Sequence, residues 1–238
     1  FYAGYNPDDN SILLSMHEIA NLCHPVVSLD IIGHEYTHGV MEYITEGGLS
    51  YNGETGAIEE GIADIFGGLI QTSVEGFNAT NTYTLGEDVF IDETYIRVIS
   101  DPKSSGTHSI SSNCDVWDSG QPDTYLGVNW DTRGCDLSGI HTNSTVMSYW
   151  FYLVAEGGSG TNDNNYNYNV NGIGRDAAQE IVWQMMDYYL NFGSNFSDAR
   201  SGSLMAAMFE YGICSEEMIQ VANAWDALGV PSGYDVTY

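Results

Sequence analysis

The chain has 238 residues, 43% of them hydrophobic, enough to build a core and too apolar for a disordered segment. Its 33 acidic side chains stand against 5 Lys plus Arg, a net charge of −28, and a field of that sign repels nucleic acid and anionic membrane. No window reaches the roughly 18 uninterrupted apolar residues of a membrane helix, so the composition is that of an acidic globular protein with a solubilising surface.

Residues 1–25 carry turn formers, Gly4 and Asn6-Pro7-Asp8-Asp9-Asn10, around the short apolar run Ile12-Leu13-Leu14, which reads as strands or loops. From Ser28 the pattern becomes helical, with Leu29, Ile32, Tyr36, Val40 and Tyr43 or Ile44 at three- and four-residue intervals, until Gly47-Gly48. Ile58, Ile62, Ile65, Phe66 and Leu69 mark a second helix. Residues 72–140 show little periodicity, and a stretch of that length inside a compact domain is functional or metal-stapled.

From Asn143 helices dominate. Val146, Met147, Trp150, Phe151 and Val154 form one stripe, stopped at Gly157-Gly158, and Ile181, Val182, Met185, Met186 and Tyr189 form another. The Asn-rich residues 161–171 between them read as a loop. Ser197-Asp198 is the expected N-cap before Leu204, Met205, Met208 and Phe209. Ser215 opens a last helix that ends at Gly229, with Pro231 beyond.

Four cysteines, Cys23, Cys114, Cys135 and Cys214, are scattered without a C-x-x-C pair. That spacing favours two disulfides in an oxidising compartment over a thiolate metal site. Of the three possible pairings, Cys114 with Cys135 closes a local loop.

The chemistry-bearing pattern is His34-Glu35-Tyr36-Thr37-His38. Two histidines four residues apart project from one helix face, so both imidazoles can reach one ion, and Glu35 lies close enough to contact water in an open coordination position. A catalytic zinc needs a third protein ligand, and the second helix offers Glu60, with Asp64 one turn on to orient a ligating imidazole. Ile58, Ile62, Ile65 and Phe66 make that helix apolar, which leaves little reason for stray carboxylates on it.

These residues carry a resemblance. SLDIIGHEYTHG from Ser28 and GETGAIEEGIADIFGG from Gly53 resemble the thermolysin family of secreted zinc metalloendopeptidases. LGED from Leu85, RVISDP from Arg97, DLSGIHTNS from Asp136, GIGRD from Gly172, SNFS from Ser194 and AWDALGV from Ala224 follow in order, so the likeness spans nearly the whole chain. Phe1-Tyr2 and Ser28-Leu-Asp are closest to the vibriolysin and pseudolysin branch.

The resemblance implies a mainly α fold, the C-terminal lobe of a two-lobe α+β metalloprotease. Residues 1–27 would be a short β and loop remnant of the N-terminal lobe, and residues 28–238 the helical zinc-binding lobe. It implies zinc on His34, His38 and Glu60, with Asp64 bonding the ring of His34. Glu35 is then the general base that assists attack by zinc-bound water. Tyr51 and His141 stabilise the oxyanion, Asp136 orients His141, and Arg97 binds a substrate carbonyl. By matched position Ile31, Leu85 and Ile96 line the pocket after the scissile bond, which predicts a preference for bulky apolar residues there, and Asn143 joins the substrate-binding set.

Two departures from the family pattern stand out. Relatives staple the long loop with calcium, and Asp30 and Glu87 occupy calcium-ligand positions, but further acidic positions read Gln71, Thr82 and Thr84, which weakens a site for a hard dication. The β-rich lobe that borders the cleft in the family has no counterpart before Phe1, so it is expected as a partner, on another chain or in a longer parent protein. The implied activity is hydrolysis of internal peptide bonds in proteins or peptides by a secreted, extracellular enzyme. The rival is a non-catalytic structural or surface protein that keeps the fold, which has no need for Glu35, Tyr51 and His141 together.

Overall fold

A computed structural model describes residues 3–15, 24–45, 47–77, 82–89, 95–105, 120–134 and 136–233. Phe1, Tyr2, Cys23, Cys114 and Cys135 lie outside them, and with them the disulfide expected between Cys114 and Cys135; Cys214 is an exposed free thiol. No described helix is long and apolar enough to cross a membrane.

The turn-rich opening folds as a hairpin. β1 (Ala3–Asn6) pairs antiparallel with β2 (Ser11–Leu14), Ala3 opposite Leu14 and Asn6 opposite Ser11. The two helices predicted next follow as α1 (Leu29–Ile44) and α2 (Gly53–Glu75). His34 meets Asp64 whereas His38, one turn on, meets Glu59 and Glu60, so the two helices run antiparallel. Glycine sets how closely they cross: a Cβ on Gly67 would sit 2.5 Å from the Asp30 carbonyl oxygen, and one on Gly33 would sit 3.1 Å from the Gly67 Cα. That close approach is what lets side chains of α1 and α2 meet.

The stretch read as irregular contains β3 (Thr84–Leu85) paired with β4 (Arg97–Val98), and a 3-10 turn at Pro102–Ser104. α3 (Asp136–Glu156) follows, then α4 (Arg175–Tyr188), α5 (Phe196–Tyr211) and α6 (Glu216–Ala227). The fold is mainly α, as expected, with the three sheets limited to two strands each among the described residues.

Two expectations need correction. Residues 161–171 are not a loop throughout: β5 (Gly157–Thr161) and β6 (Asn167–Asn171) pair along their full length. Asn162 organises the turn, its Oδ1 accepting from the backbone N–H of Asn164 and Tyr166, so an Asn-rich segment serves turn chemistry rather than disorder. The cap of α5 is Asn195, two residues earlier than expected, and Asp198 completes a reciprocal capping box with it. Ser215 caps α6 as expected, accepting from Met218 N–H.

The core lies among α2 to α6. Ile58, Ile62 and Ile65 from α2 meet Met147 and Trp150 of α3, Val182 and Met185 of α4, Phe196 of α5 and Trp225 of α6. Trp150 and Trp225 stack with centroids 4.7 Å apart at 18°. Each such fully buried side chain contributes about 1.5–3 kcal/mol relative to exposure. Glu54 in the first turn of α2 accepts from Tyr125 Oη at 2.9 Å and from Phe196 N–H at 3.0 Å, placing a carboxylate at the positive end of α5.

Candidate metal centre

The crossing of α1 and α2 brings His34, His38 and Glu60 together. His34 Nε2 and His38 Nε2 are 3.2 Å apart, His34 Nε2 lies 3.4 Å from Glu60 Oε2, and His38 Nε2 lies 3.4 Å from Glu60 Oε1. A tetrahedral ion with bonds of about 2.0–2.1 Å sets its ligand atoms about 3.4 Å from one another. Two imidazole nitrogens and a carboxylate at that spacing fit zinc. Among the described residues they form the one cluster of its kind, with all three side chains buried.

The groups behind the ligands fix their orientation. Asp64 Oδ1 lies 2.9 Å from His34 Nδ1, and Glu59 Oε1 lies 3.1 Å from His38 Nδ1. Each contact places the ring's N–H on the carboxylate side and leaves Nε2 free to face the cluster. Burial alone would lower both histidines, but Asp64 and Glu60 push His34 up to about 9, and Glu59 and Glu60 push His38 up to about 10. Burial works in the opposite sense on Glu60, yet the positive charges of His141, His34 and His38 hold its carboxyl well below the usual range.

The donor arm reaches the same carboxylate from the other side. Tyr51 Oη donates to Glu60 Oε1 and stands 3.3 Å from His141 Nε2, itself 3.5 Å from Glu60 Oε1. Burial and the Glu60 charge raise the Tyr51 phenol, so it remains a hydrogen-bond donor. Asp136 holds His141 twice, Oδ1 to ring Nδ1 at 2.5 Å and Oδ2 to the backbone N–H at 2.9 Å. For His141 too burial opposes the charge, and Glu60 with Asp136 outweighs it, raising the pKa.

The backbone before His141 is unusual. Asp136, Leu137, Ser138 and Gly139 all have positive φ, from 48° to 81°, a short left-handed run ahead of the regular part of α3. L-residues meet a cost of about 1–2 kcal/mol each there. Such strain persists at sites where surrounding contacts over-determine it, and here those contacts are the Asp136 bonds to His141 and Thr142.

A cleft of about 520 Å³ passes over the cluster. Glu35, His34, His38, Tyr51, Glu60, Arg97 and His141 all line it, so the residues expected to carry chemistry converge on one cavity. Ile31 and Ile96 line it, joined by Val26, and the hairpin adds Ala3 and Tyr5. Two expected residues stand elsewhere. Leu85 is fully buried in the main core behind the cleft. Asn143 does not line it; its Nδ2 donates to the Asp131 carbonyl and its Oδ1 accepts from Asp131 N–H. Arg97 is 4% exposed and its Nε and Nη2 face Asp64 at 2.6 and 2.8 Å, a commitment that spacing alone did not reveal.

Asp30 and Glu87 meet at a junction away from the cluster. Asp30 is fully buried and accepts from Ile31 N–H at 2.8 Å and Gly86 N–H at 2.6 Å. Glu87 accepts from Gln71 Nε2 at 3.0 Å and Thr84 Oγ1 at 3.1 Å. Two of the three neutral side chains at the expected calcium positions, Gln71 and Thr84, thus point donors at Glu87, while Thr82 pairs with Thr72; three neutral groups suit a hard cation less well than carboxylates. Burial, then the Asp30 charge, raises Glu87 to about 7.

Sequence reasoning passed over Glu59. Its signal was present: a second carboxylate beside Glu60 on a helix buried nearly all round.

A family description, thermolysin metallopeptidase, alpha-helical domain, matches residues 47–230, which include Glu60 and His141 and begin just after the His34 to His38 helix. The chain belongs to this family. Thermostable neutral protease NprT of Geobacillus stearothermophilus is 35% identical over 205 residues, 85% of this chain and 33% of that protein. Thermolysin of Alicyclobacillus acidocaldarius is 35% identical with the same coverage, and neutral protease B of Bacillus subtilis is 32% identical over 206 residues, 85% of this chain and 32% of the relative. The chain therefore spans about a third of the length of the curated relatives it matches. The solved precursor of protealysin from Serratia proteamaculans superimposes with a TM-score of 0.74 at 20% identity, over 96% of this chain and 65% of that one, and shares the fold.

Proposed function

We propose that this thermolysin-family chain is the catalytic part of a secreted zinc endopeptidase that hydrolyses internal peptide bonds. The observation that carries this reading is the 3.2 to 3.4 Å spacing of the His34, His38 and Glu60 ligand atoms at the base of an open cleft. Zinc held there supplies a Lewis acid and lowers the pKa of water bound to it to about 7.

The remaining steps belong to the chain's own groups. Glu35 accepts the proton of the attacking water and returns it to the leaving amine. Tyr51 and His141 donate hydrogen bonds to the oxygen where negative charge develops, and Asp136 keeps the His141 ring turned towards it. Arg97, paired with Asp64, lines the cleft as a candidate partner for a substrate carbonyl. Val26, Ile31 and Ile96 supply an apolar wall, which supports a preference for bulky apolar side chains after the scissile bond. The retention of Glu35, Tyr51 and His141 on one cleft favours this reading over a non-catalytic surface protein.

The outer face of α1 supports a partner lobe. Tyr36 and Tyr43, seven residues apart on one helix face, are 60% and 87% exposed. We assign that face to a β-rich lobe of the same enzyme.

The test is casein hydrolysis with and without o-phenanthroline, alongside the Glu35→Gln variant. Activity abolished by the chelator, restored by zinc and lost in the variant is the expected result; activity that survives either treatment sinks the mechanism.

A further inference from the structure

Around His38 the cleft is also lined by Glu42 and Leu49, residues that the hydrolytic steps do not use. Glu42 follows His38 by four residues on α1, so the two share a face one turn apart. Glu59 meets the same histidine from α2, and Tyr51 stands edge-on to it with ring centroids 6.0 Å apart. Glu42, Glu59, Tyr51 and the buried Leu49 all line the cleft. This part of the cleft therefore presents two carboxylates, an aliphatic side chain and an aromatic ring.

Two observations mark it as a receptor. Glu59 is only 7% exposed, and its Oε2 is buried with no hydrogen-bond partner among the described residues. A nearly buried carboxylate with one oxygen lacking a donor is costly, and a cationic head held beside the Glu59 carboxylate offsets that cost. The only Lys or Arg among the cleft-lining residues is Arg97, which faces Asp64. Among the described residues no Lys or Arg meets Glu42 or Glu59 in this cavity; the one basic group beside Glu59 is His38, on Oε1.

We infer that this part of the cleft binds a cationic side chain of the peptide, a lysine or an arginine, between Glu42 and Glu59. This deepens the peptidase reading and rests on it. The methylenes of such a side chain lie along Leu49 and the Tyr51 ring while its head reaches the carboxylates, the division of labour that long basic side chains favour. A neutral side chain of the same length fills the space but leaves the Glu42 and Glu59 charges uncompensated, so discrimination comes from charge.

The test uses the zinc-loaded Glu35→Gln chain, which holds peptide without turnover. Binding of a hexapeptide amide carrying one lysine, moved through each position in turn, is measured by calorimetry against the same series with norleucine. The expected result is one position at which lysine binds about tenfold tighter. Adding Glu42→Gln should cut that gain at least threefold while leaving the norleucine peptides unchanged. Asp176→Asn, an exposed carboxylate outside the cleft lining, should leave the gain intact. Equal binding of lysine and norleucine at every position, or a lysine gain that survives Glu42→Gln, overturns the inference alone. Failure of every peptide to bind overturns the peptidase reading with it. A gain lost equally in Asp176→Asn assigns it to the overall charge of the protein, and overturns the subsite.

Discussion

Arg97 grips Asp64 at two points, Nε to Oδ2 at 2.6 Å and Nη2 to Oδ1 at 2.8 Å, while the same carboxylate meets His34 Nδ1 at 2.9 Å. One buried carboxylate thus joins a strand of the loop region to a metal-facing histidine. Replacing Arg97 with Ala leaves Asp64 buried and uncompensated. Breaking such a pair costs about 3–5 kcal/mol, which urea unfolding of the variant measures. An unfolding free energy within about 1 kcal/mol of the parent would show that water reaches Asp64 and that the pair does not hold the site.

Glu59 makes a second histidine prediction. Substituting a carboxylate that orients a ligating imidazole lowers metal affinity about 10–100-fold. Glu59→Ala is expected to fall in that range in competition with a calibrated zinc chelator, and Glu59→Gln, which keeps an acceptor for His38 Nδ1–H, to lose less. An unchanged zinc affinity in Glu59→Ala would make the 3.1 Å contact incidental.

Against the lowering effect of burial, Glu60 and then Asp136 raise His141. The charged, doubly protonated ring is therefore present below the raised pKa and lost as pH climbs through it. Asp136→Asn removes one of the two raising charges, so the alkaline limb of kcat/KM should move to lower pH. His141→Ala, by removing a donor to the developing oxyanion, is expected to cost about 10²–10³ in kcat. A pH–rate profile of Asp136→Asn that overlays the parent would count against the assignment.

Glu87 is raised from 4.5 to about 7, first by burial and then by the Asp30 charge. Its folded form favours the proton, so its contribution to stability is fully present below pH 4.5 and disappears as pH rises through 7. Glu87→Gln removes that loss. In calcium-free buffer the variant's Tm relative to the parent should climb between pH 5 and pH 8, as read by thermal unfolding. A Tm difference that stays flat over that range refutes the raised carboxyl.

Much of this was readable from residue order. His34, His38, Glu60 and Asp64 sit on two helices whose periodicity is plain, and spacing by four residues fixes which side chains share a face. The ends of helices were also legible where a single residue decides them, as at Ser215. What spacing could not carry was contact across the fold. Glu59 looked like a neighbour of Glu60 until the antiparallel crossing turned it to His38. Leu85 and Asn143, aligned by position with a cleft, proved to be core and loop support, because an apolar side chain or an amide serves either role equally. The left-handed backbone at 136–139 has no signature beyond Gly139 itself, since Asp136, Leu137 and Ser138 are held there by surroundings rather than by preference.

The three metal-facing side chains all lie between residues 34 and 60, on helices joined by a short connection, whereas His141 comes from a distant part of the chain. Retention of the ion is therefore a local affair of one helical pair. His141, the proposed oxyanion donor, depends instead on long-range packing of α3 and on a strained turn that the packing sustains. Gentle heating or mild denaturant should thus separate the two: turnover fails first, while the zinc is still in place, and cooling restores it without resupply of metal.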